Sequence, residues 1–291
     1  MQATHGSAGT PGGRLRQLLD HGELIVAPGI FDGITAHLVR LMGFRAGYLT
    51  GAGVAASGFG LPDIGLVGMA EMADRVAMAA RVLGPVPLIA DADTGYGPPM
   101  SVARTVRAYE QAGAAAIQLE DQAFPKRCGH LPGKELVSAE ESLARLGAAL
   151  DARTDALIIA RTDARAVLGL EAAIERGNAF AAAGADIIFV EAPRTALEIE
   201  VIAREISAPK LINIVAGGLT PQIEPAALQD LGYAIAIYPT TALLAATDAA
   251  AGALRGIGAA TAPAPVATME DFFRLVGLDE WFAVSERWET K

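Results

Sequence analysis

Eight times along the chain a short, β-branched apolar run is followed by an Ala- and Arg-rich stretch, and this repeat constrains the fold more than any other feature. The runs lie at Leu24–Ala27, Ala46–Thr50, Pro87–Asp91, Ala115–Glu120, Ala156–Arg161, Asp186–Glu191, Lys210–Val215 and Ala234–Tyr238. Intervening segments such as Met69–Leu83, Val102–Ala112, Leu170–Ala183 and Leu197–Ile206 carry apolar residues at helical spacing. The runs are continuously apolar, as strands of a parallel sheet buried on both faces are. Gly113, Gly184 and Gly232 each stand just before a run and suit the left-handed cap of the preceding helix. Eight strand–helix units in one chain predict an α/β fold, a closed (β/α)8 TIM barrel. An open doubly wound sheet is the alternative, but no Gly-x-Gly-x-x-Gly opens a helix after the first run.

The length of 291 residues suits a single barrel, and 52% hydrophobic residues are ample for its core. Residues 1–13 are Gly-, Thr- and Ala-rich without an apolar centre and read as a loose tail, not a signal peptide. The barrel is expected over residues 14–260. A Pro/Ala-rich linker, Thr261–Val266, then leads into an amphipathic helical tail, Met269–Val276 and Glu280–Trp288, ending at residue 291. No apolar stretch approaches the roughly 18 residues of a membrane span. A formal charge of −10 and the absence of any Lys/Arg run argue against nucleic acid as a partner. The single cysteine cannot form an internal disulfide, which fits a reducing, cytoplasmic setting. Two connections, Gly51–Val67 and Gln122–Val137, are longer than a barrel needs, and long loops in compact domains tend to be functional.

Polar residues close successive runs: Asp91 and Asp93, Glu120 and Asp121, Arg161 with Thr162 and Asp163, Glu191, and Asn213. A lone residue of this kind is more often a helix cap. Five strand ends in succession are not explained so, because in a barrel they converge on one mouth. Asp91 and Asp93 are two apart and face the same side, so their carboxylates need a cation nearby. Hard oxygen ligands suit Mg²⁺, or Mn²⁺ in its place. The loop Lys126-Arg127-Cys128-Gly129-His130 forms the other dense cluster. Its basic neighbours should lower the Cys128 pKa, and Gly129 and Gly133 give the loop freedom to move. An incidental surface cysteine is the competing reading.

The run Glu120-Asp121-Gln122 through Lys126-Arg127-Cys128-Gly129-His130 and Leu131-Pro132-Gly133-Lys134 resembles the signature loop of the isocitrate lyase / phosphoenolpyruvate mutase superfamily. Asp91-Ala92-Asp93-Thr94-Gly95-Tyr96-Gly97 resembles its metal motif, and Tyr48 to Gly53 and Leu61-Pro62-Asp63 are also similar. The similarity runs from about Pro28 to Tyr238 and is nearest to methylisocitrate lyase and 2,3-dimethylmalate lyase-like enzymes. It implies a C-terminal helix swapped between subunits and a homo-oligomer built as a dimer of dimers. It also implies Mg²⁺ held by Asp93, with Asp91 and Glu120 through water and Asp63 in the outer shell. Thr50, Gly51, Ala52 and Arg161 would bind the 2-oxo-acid part of a small carboxylic acid substrate. Glu191 and Asn213 would line the pocket beside Gly129 and His130, Cys128 would be the acid/base, and Tyr48 is a candidate base.

The implied chemistry is retro-aldol cleavage of a 2-hydroxy di- or tricarboxylate, of methylisocitrate or alkylmalate type, to a 2-oxo acid plus a carboxylic acid. The sequence departs from methylisocitrate lyase at Gln118 (for His), Thr50 (for Ser) and Ala216 (for an acidic residue), so specificity for methylisocitrate itself is not expected. Oxaloacetate decarboxylase or hydrolase activity, phosphorylmutase-like activity, and non-catalytic binding of a 2-oxo acid are the alternatives.

Overall fold

The computed structural model describes residues 9–259 and 268–288. Helix α1 (Pro11–Asp20) leads into β1 (Ile25–Ile30), α2 (Gly33–Leu41), β2 (Gly47–Leu49), α3 (Gly51–Phe59) and α4 (Met69–Leu83). Then come β3 (Leu88–Asp91), α5 (Pro99–Gln111), β4 (Ala116–Glu120), α6 (Ala139–Ala152) and β5 (Leu157–Thr162). The series continues with α7 (Ala164–Val167), α8 (Leu170–Ala182), β6 (Ile187–Val190), α9 (Ala196–Glu205), β7 (Lys210–Asn213), α10 (Pro225–Asp230) and β8 (Ile235–Tyr238). Helices α11 (Thr241–Gly258), α12 (Met269–Leu275) and α13 (Leu278–Trp288) complete the described chain. All eight strands pair in parallel in sequence order, and β8 pairs with β1 to close the barrel.

Strand alternation sorts the side chains into two layers. Ile25 and Ala27, Tyr48, Ile89, Ala116, Leu157 and Ile159, Ile187 and Phe189, Leu211, and Ile235 and Ile237 fill the barrel interior. Their neighbours of opposite parity, such as Ala90, Ile117, Ile158, Ile188 and Ile212, pack under the helices. Extending the inward stripe by two residues per step leads from Ile89 to Asp91, from Ala116 through Gln118 to Glu120, and from Ile159 to Arg161 and Asp163. The same step leads from Phe189 to Glu191 and from Leu211 to Asn213. The polar residues at the strand ends are therefore the last layer of the barrel interior, at its C-terminal mouth.

The opposite end is closed by α1. Leu15 is fully buried within the interior cluster, and Asp155, just before β5, holds the helix start. The Asp155 carboxylate accepts from Thr10 Oγ1 (2.6 Å) and Gly12 N (2.7 Å). Helix α1 begins at Pro11, inside the segment expected as a loose tail, and residues 1–8 lie outside the described residues. The connection expected as a loop from Gly51 to Val67 begins with α3. Its three glycines lower its helix propensity and it has little apolar periodicity, but Thr50 Oγ1 caps it by accepting from Gly53 N (3.2 Å).

The chain divides into two compact units, residues 1–243 and 244–291. The expected tail helices appear as α12 and α13, and the expected linker, Thr261–Val266, lies outside the described residues. Among the described residues no helix is long and apolar enough to cross a membrane. Leu15→Ala should destabilise the fold by about 2–5 kcal/mol, the usual cost of truncating a well-packed core leucine. Urea unfolding measures this, and an unchanged midpoint would remove α1 from the core.

Candidate active site

Arg161 sits at the centre of the mouth. Its Nε and Nη2 donate to Asp163 Oδ2 and Oδ1 at 2.9 and 3.1 Å, a bidentate pair. Nη1 lies 3.3 Å from Glu120 Oε2 and 3.6 Å from Glu191 Oε2, and the guanidinium stacks over Phe189 at 5.3 Å. Burial works against both charges of the Arg161–Asp163 pair. The opposite charges win nonetheless, raising the Arg161 pKa well up and lowering that of Asp163.

Beside it lies the acidic group on β3 and β4. Asp91 accepts from Gly51 N (3.2 Å), Asp93 N (3.1 Å) and Gln118 Nε2 (3.2 Å), so its carboxylate is held in place from three sides. Gly51 has no room for a Cβ, which would fall 2.9 Å from Asp91 Oδ2. Asp93 adopts a left-handed backbone, φ 47°, rare for a residue other than glycine and typical of functional sites. Its Oδ1 is 2.6 Å from Lys126 Nζ, and the same ammonium forms a short ion pair with Asp63. Burial raises the Asp93 carboxyl to about 6, against the opposing Lys126 and with help from Asp91 and Asp63. Burial also pushes Glu120 well up despite Arg161 and Lys126.

The fit to a metal ion is legible in unsatisfied oxygens. Asp93 Oδ1 and Glu120 Oε1 are buried without a hydrogen bond of acceptable geometry, although Lys126 stands beside the first. Buried carboxylate oxygens without donors suit a hard cation. Among the described residues no three His, Cys, Asp or Glu side chains converge on one point.

The loop between β4 and α6 is a hairpin folded over this mouth. Its neck is zipped by Ala123 N to Glu135 O (2.8 Å) and Val137 N to Asp121 O (3.0 Å). Inside it, the Gln122 amide bonds both the carbonyl (2.8 Å) and the N–H (2.9 Å) of Arg127. Gly129 packs directly on the charged centre, where a Cβ would lie 2.6 Å from Arg161 Nη2 and 2.7 Å from Glu191. His130 Nδ1 accepts from Leu219 N (3.1 Å), which assigns the proton of a neutral ring to Nε2, 3.5 Å from Glu191 Oε1. Burial lowers the His130 pKa, favouring the neutral ring. Asn213 Nδ2 lies 3.3 Å from His130 Nε2 and 3.4 Å from each Glu191 oxygen.

Two expectations from the sequence are corrected here. Cys128 does not have a lowered pKa: burial raises it, and Asp63 and Glu191 add to that. The basic neighbours diverge in space. Lys126 turns to Asp63 and Asp93, and Arg127 turns out to the Pro132 carbonyl (3.2 Å). Tyr48 is not poised as a base, because its O–H donates to Gln118 Oε1 (3.0 Å) and burial raises its pKa well above that of a free phenol.

The other residues named from the sequence are placed as follows. Asp91, Asp93, Glu120, Arg161, Glu191 and Asn213 share the mouth, Thr50, Gly51 and Ala52 form the N-terminal turn of α3, and Cys128, Gly129 and His130 cover them. Asp63 reaches in through Lys126. The sequence placed Asp163 among the strand-end polar residues and Lys126 and Lys134 in the loop, but pointed to no role in the site for any of the three. The i, i+2 step from Arg161 was the available signal for Asp163. The two loop lysines had none.

An eight-stranded parallel barrel with its charged residues gathered at the C-terminal mouth has the layout of a barrel enzyme. The family model described as phosphoenolpyruvate phosphomutase matches residues 15–258. The chain is 49% identical over 238 residues to 2,3-dimethylmalate lyase of Eubacterium barkeri, covering 81% of this chain and 82% of that one. It is 47% identical over 247 residues to 2-methylisocitrate lyase of Aeropyrum pernix, covering 85% and 80%. Among solved structures, oxaloacetate acetylhydrolase with the inhibitor 3,3-difluorooxalacetate superposes with a TM-score of 0.93 at 38% identity, covering 97% and 98%. Phosphonopyruvate hydrolase with oxalate and Mg²⁺ superposes at 0.85 and 30% identity, covering 96% and 99%. The chain belongs to the phosphoenolpyruvate mutase/isocitrate lyase superfamily of enzymes.

Because Cys128 is the only cysteine, its titration is directly readable. Thiolate absorbance of the metal-free protein should rise only above the ordinary cysteine range. A thiol ionised at neutral pH would contradict the burial argument.

Proposed function

We propose that this protein is a Mg²⁺-dependent carbon–carbon lyase that cleaves a small 2-hydroxy di- or tricarboxylate to a 2-oxo acid and a second carboxylic acid. The carrying observation is the thiol of Cys128, kept protonated by burial, on a loop whose Gly129 rests on Arg161 and Glu191. The names of the curated relatives, both lyases of branched hydroxy acids, support the same reading.

Asp93 is the proposed direct metal ligand, with Asp91, Glu120 and Asp63 reached through water; Mn²⁺ is a possible substitute. When bound, Mg²⁺ supplies Lewis-acid polarisation of the oxygens of the 2-oxo-acid moiety. The first turn of α3, at Thr50, Gly51 and Ala52, turns the positive end of the helix toward a carboxylate, opposite Arg161, while Gly51 N itself stays bonded to Asp91. Glu191 and Asn213, with Gly129 and His130, form the wall for the rest of the substrate.

In the cleavage the substrate hydroxyl loses its proton to Glu120, which takes it as a carboxylate, the form that Arg161 and Lys126 favour against burial, and whose Oε1 has no hydrogen bond among the described residues. The carbon–carbon bond breaks as the C–O bond becomes a carbonyl, and its electron pair passes into the departing carboxylate fragment. Cys128 then gives its proton to that carbon. A proton donor needs a thiol that is protonated at working pH, so the raised pKa serves this step where a lowered one would not. Tyr48 holds Gln118, which in turn holds Asp91. The loop keeps water from the carbanion. We further propose a cytoplasmic homo-oligomer, a dimer of dimers with swapped C-terminal helices. The exposed Trp281 and Trp288 of α13 support it, as large aromatic side chains open to solvent in one molecule.

Coupled assays for pyruvate and glyoxylate, run with Mg²⁺ over methylisocitrate, dimethylmalate, other alkylmalates and oxaloacetate, test the reading. Oxo-acid release from a hydroxy acid supports it, whereas turnover of oxaloacetate alone would replace lyase by hydrolase or decarboxylase. Cys128→Ser should lower kcat by about 10²-fold or more, in the range of one lost acid–base group, while Mg²⁺-dependent binding of pyruvate persists. Unchanged turnover removes Cys128 from the chemistry.

Metal binding should also depend on pH. Asp93 binds the ion only as a carboxylate, so affinity is full well above about 6 and declines as pH falls through that value. Mg²⁺ titration calorimetry across this range checks it, and Asp93→Ala should abolish the heat of binding. Affinity independent of pH around 6 would contradict the assignment.

A further inference from the structure

Lys134 lies on the return arm of the hairpin loop, six residues after Cys128, yet its side chain is only 2% exposed. Its ammonium donates to two groups at once. One is the Gly129 carbonyl on the outgoing arm of the loop (2.5 Å), and the other is Asp163 Oδ1 in the barrel mouth (2.7 Å). The second acceptor is the carboxylate that holds Arg161 bidentately. Asp163 is in turn fixed from below, its backbone N–H donating to Asp121 Oδ1 (2.9 Å), while Asp121 accepts from Thr162 Oγ1 (2.6 Å) and from Arg176 of α8 (3.0 Å).

The neck of the hairpin has its own backbone bonds, and Gln122 secures Arg127, but neither reaches the tip at Cys128 and Gly129. Lys126 ties the outgoing arm to Asp93 and Asp63, and beyond Cys128 the loop bonds the barrel through His130 at the β7 side and through Lys134 at the β5 side. Of the last two, only Lys134 is an ion pair buried on both partners, at 2% and 0% exposure. A buried ammonium with two good acceptors is strongly localised, and taking it away leaves a buried carbonyl and part of a buried charge without a partner.

Resting on the proposed lyase chemistry, we infer that Lys134 is a positioning residue. It latches the Cys128 loop onto the barrel through Asp163, so that placement of the thiol and orientation of Arg161 are set by one shared carboxylate. By drawing on Asp163, Lys134 also limits how far Arg161 is pulled toward that acid, leaving Nη1 directed at Glu120 and Glu191. Lys134 does not touch the reacting atoms in this scheme. It acts through Gly129 and through Asp163.

The lone cysteine makes the latch measurable without any turnover. The rate at which a neutral maleimide modifies Cys128 in the full-length protein, followed at several pH values to separate access from ionisation, reports the loop tip. Lys134→Met, which keeps length but removes the charge and donors, should label faster by about tenfold or more, the scale of losing hydrogen bonds to a charged group. Its urea midpoint, measured alongside, should fall because a buried pair is lost, while the variant stays folded under labelling conditions because the neck bonds and the barrel ladder remain. Lys134→Arg should return labelling toward the wild-type rate. On whichever substrate the product screen identifies, kcat should fall by a similar factor while KM changes less.

Wild-type labelling in folded Lys134→Met overturns the latch. Should that variant not fold, Lys134→Gln takes its place under the same criterion. Failure of every substrate in the screen leaves the labelling test standing and strikes only the lyase reading. Normal labelling in an active lyase strikes only the latch.

Discussion

Burying several carboxylates at one end of a barrel is the constraint from which the rest of the site follows. Asp91, Glu120, Asp121, Asp163 and Glu191 are all nearly inaccessible, and packing buried negative charge together is costly unless cations answer it. Four cations answer them within the chain, one of them Arg176 of α8 beside Asp121. Arg161 is anchored at the end of β5 in the mouth, while Lys126 and Lys134 arrive from the loop above. The loop is therefore more than a cover, since it carries charge that the mouth needs. The balance is uneven by design of position: Asp163 is matched and stays ionised, whereas Asp93 and Glu120 are under-compensated and keep a high proton affinity. The under-compensated oxygens are those a hard cation would satisfy.

This electrostatic asymmetry also explains the thiol. A cysteine near many charges is usually discussed in terms of the nearest lysine or arginine, which favours thiolate. At Cys128 the adjacent bases spend their charge elsewhere, and the remaining environment is low in solvent and rich in carboxylates. The same residues that would make a nucleophile in one arrangement make a proton reservoir in this one.

Most of the barrel and half of the site could be read from the sequence, for a single reason. Strand parity is a short-range rule: once Ile159 is inward, Arg161 and Asp163 must be, and the same holds from Ile89 to Asp91 and from Phe189 to Glu191. Helix α4 was recoverable to the residue because its apolar period is strong, whereas α3 was not, because Gly51-Ala52-Gly53 carries no periodic signal and depends on the Thr50 cap. What stayed hidden was the direction of side chains in the loop. Lys126, Arg127 and Lys134 have no period to obey, and their partners, Asp63, Pro132 and Asp163, are set only by the closed hairpin. The misjudged Cys128 pKa has the same origin, since adjacency along a loop does not fix adjacency in space.

Two glycines described above carry a consequence for how such a site can diversify. Gly51 is fixed by Asp91, and Gly129 by Arg161 and Glu191, so side chains and the backbones that approach them form interlocked pairs. Substituting either member of a pair demands a simultaneous change in the other, a double step that gradual sequence drift seldom finds. Gly217, after β7, has open space where a Cβ would go, though its own φ of 72° restricts it, and its neighbour Ala216 does not share that left-handed backbone. Exploration of new substrate shapes is thereby channelled toward the β7–α10 segment, while the charged half of the mouth is inherited as a block.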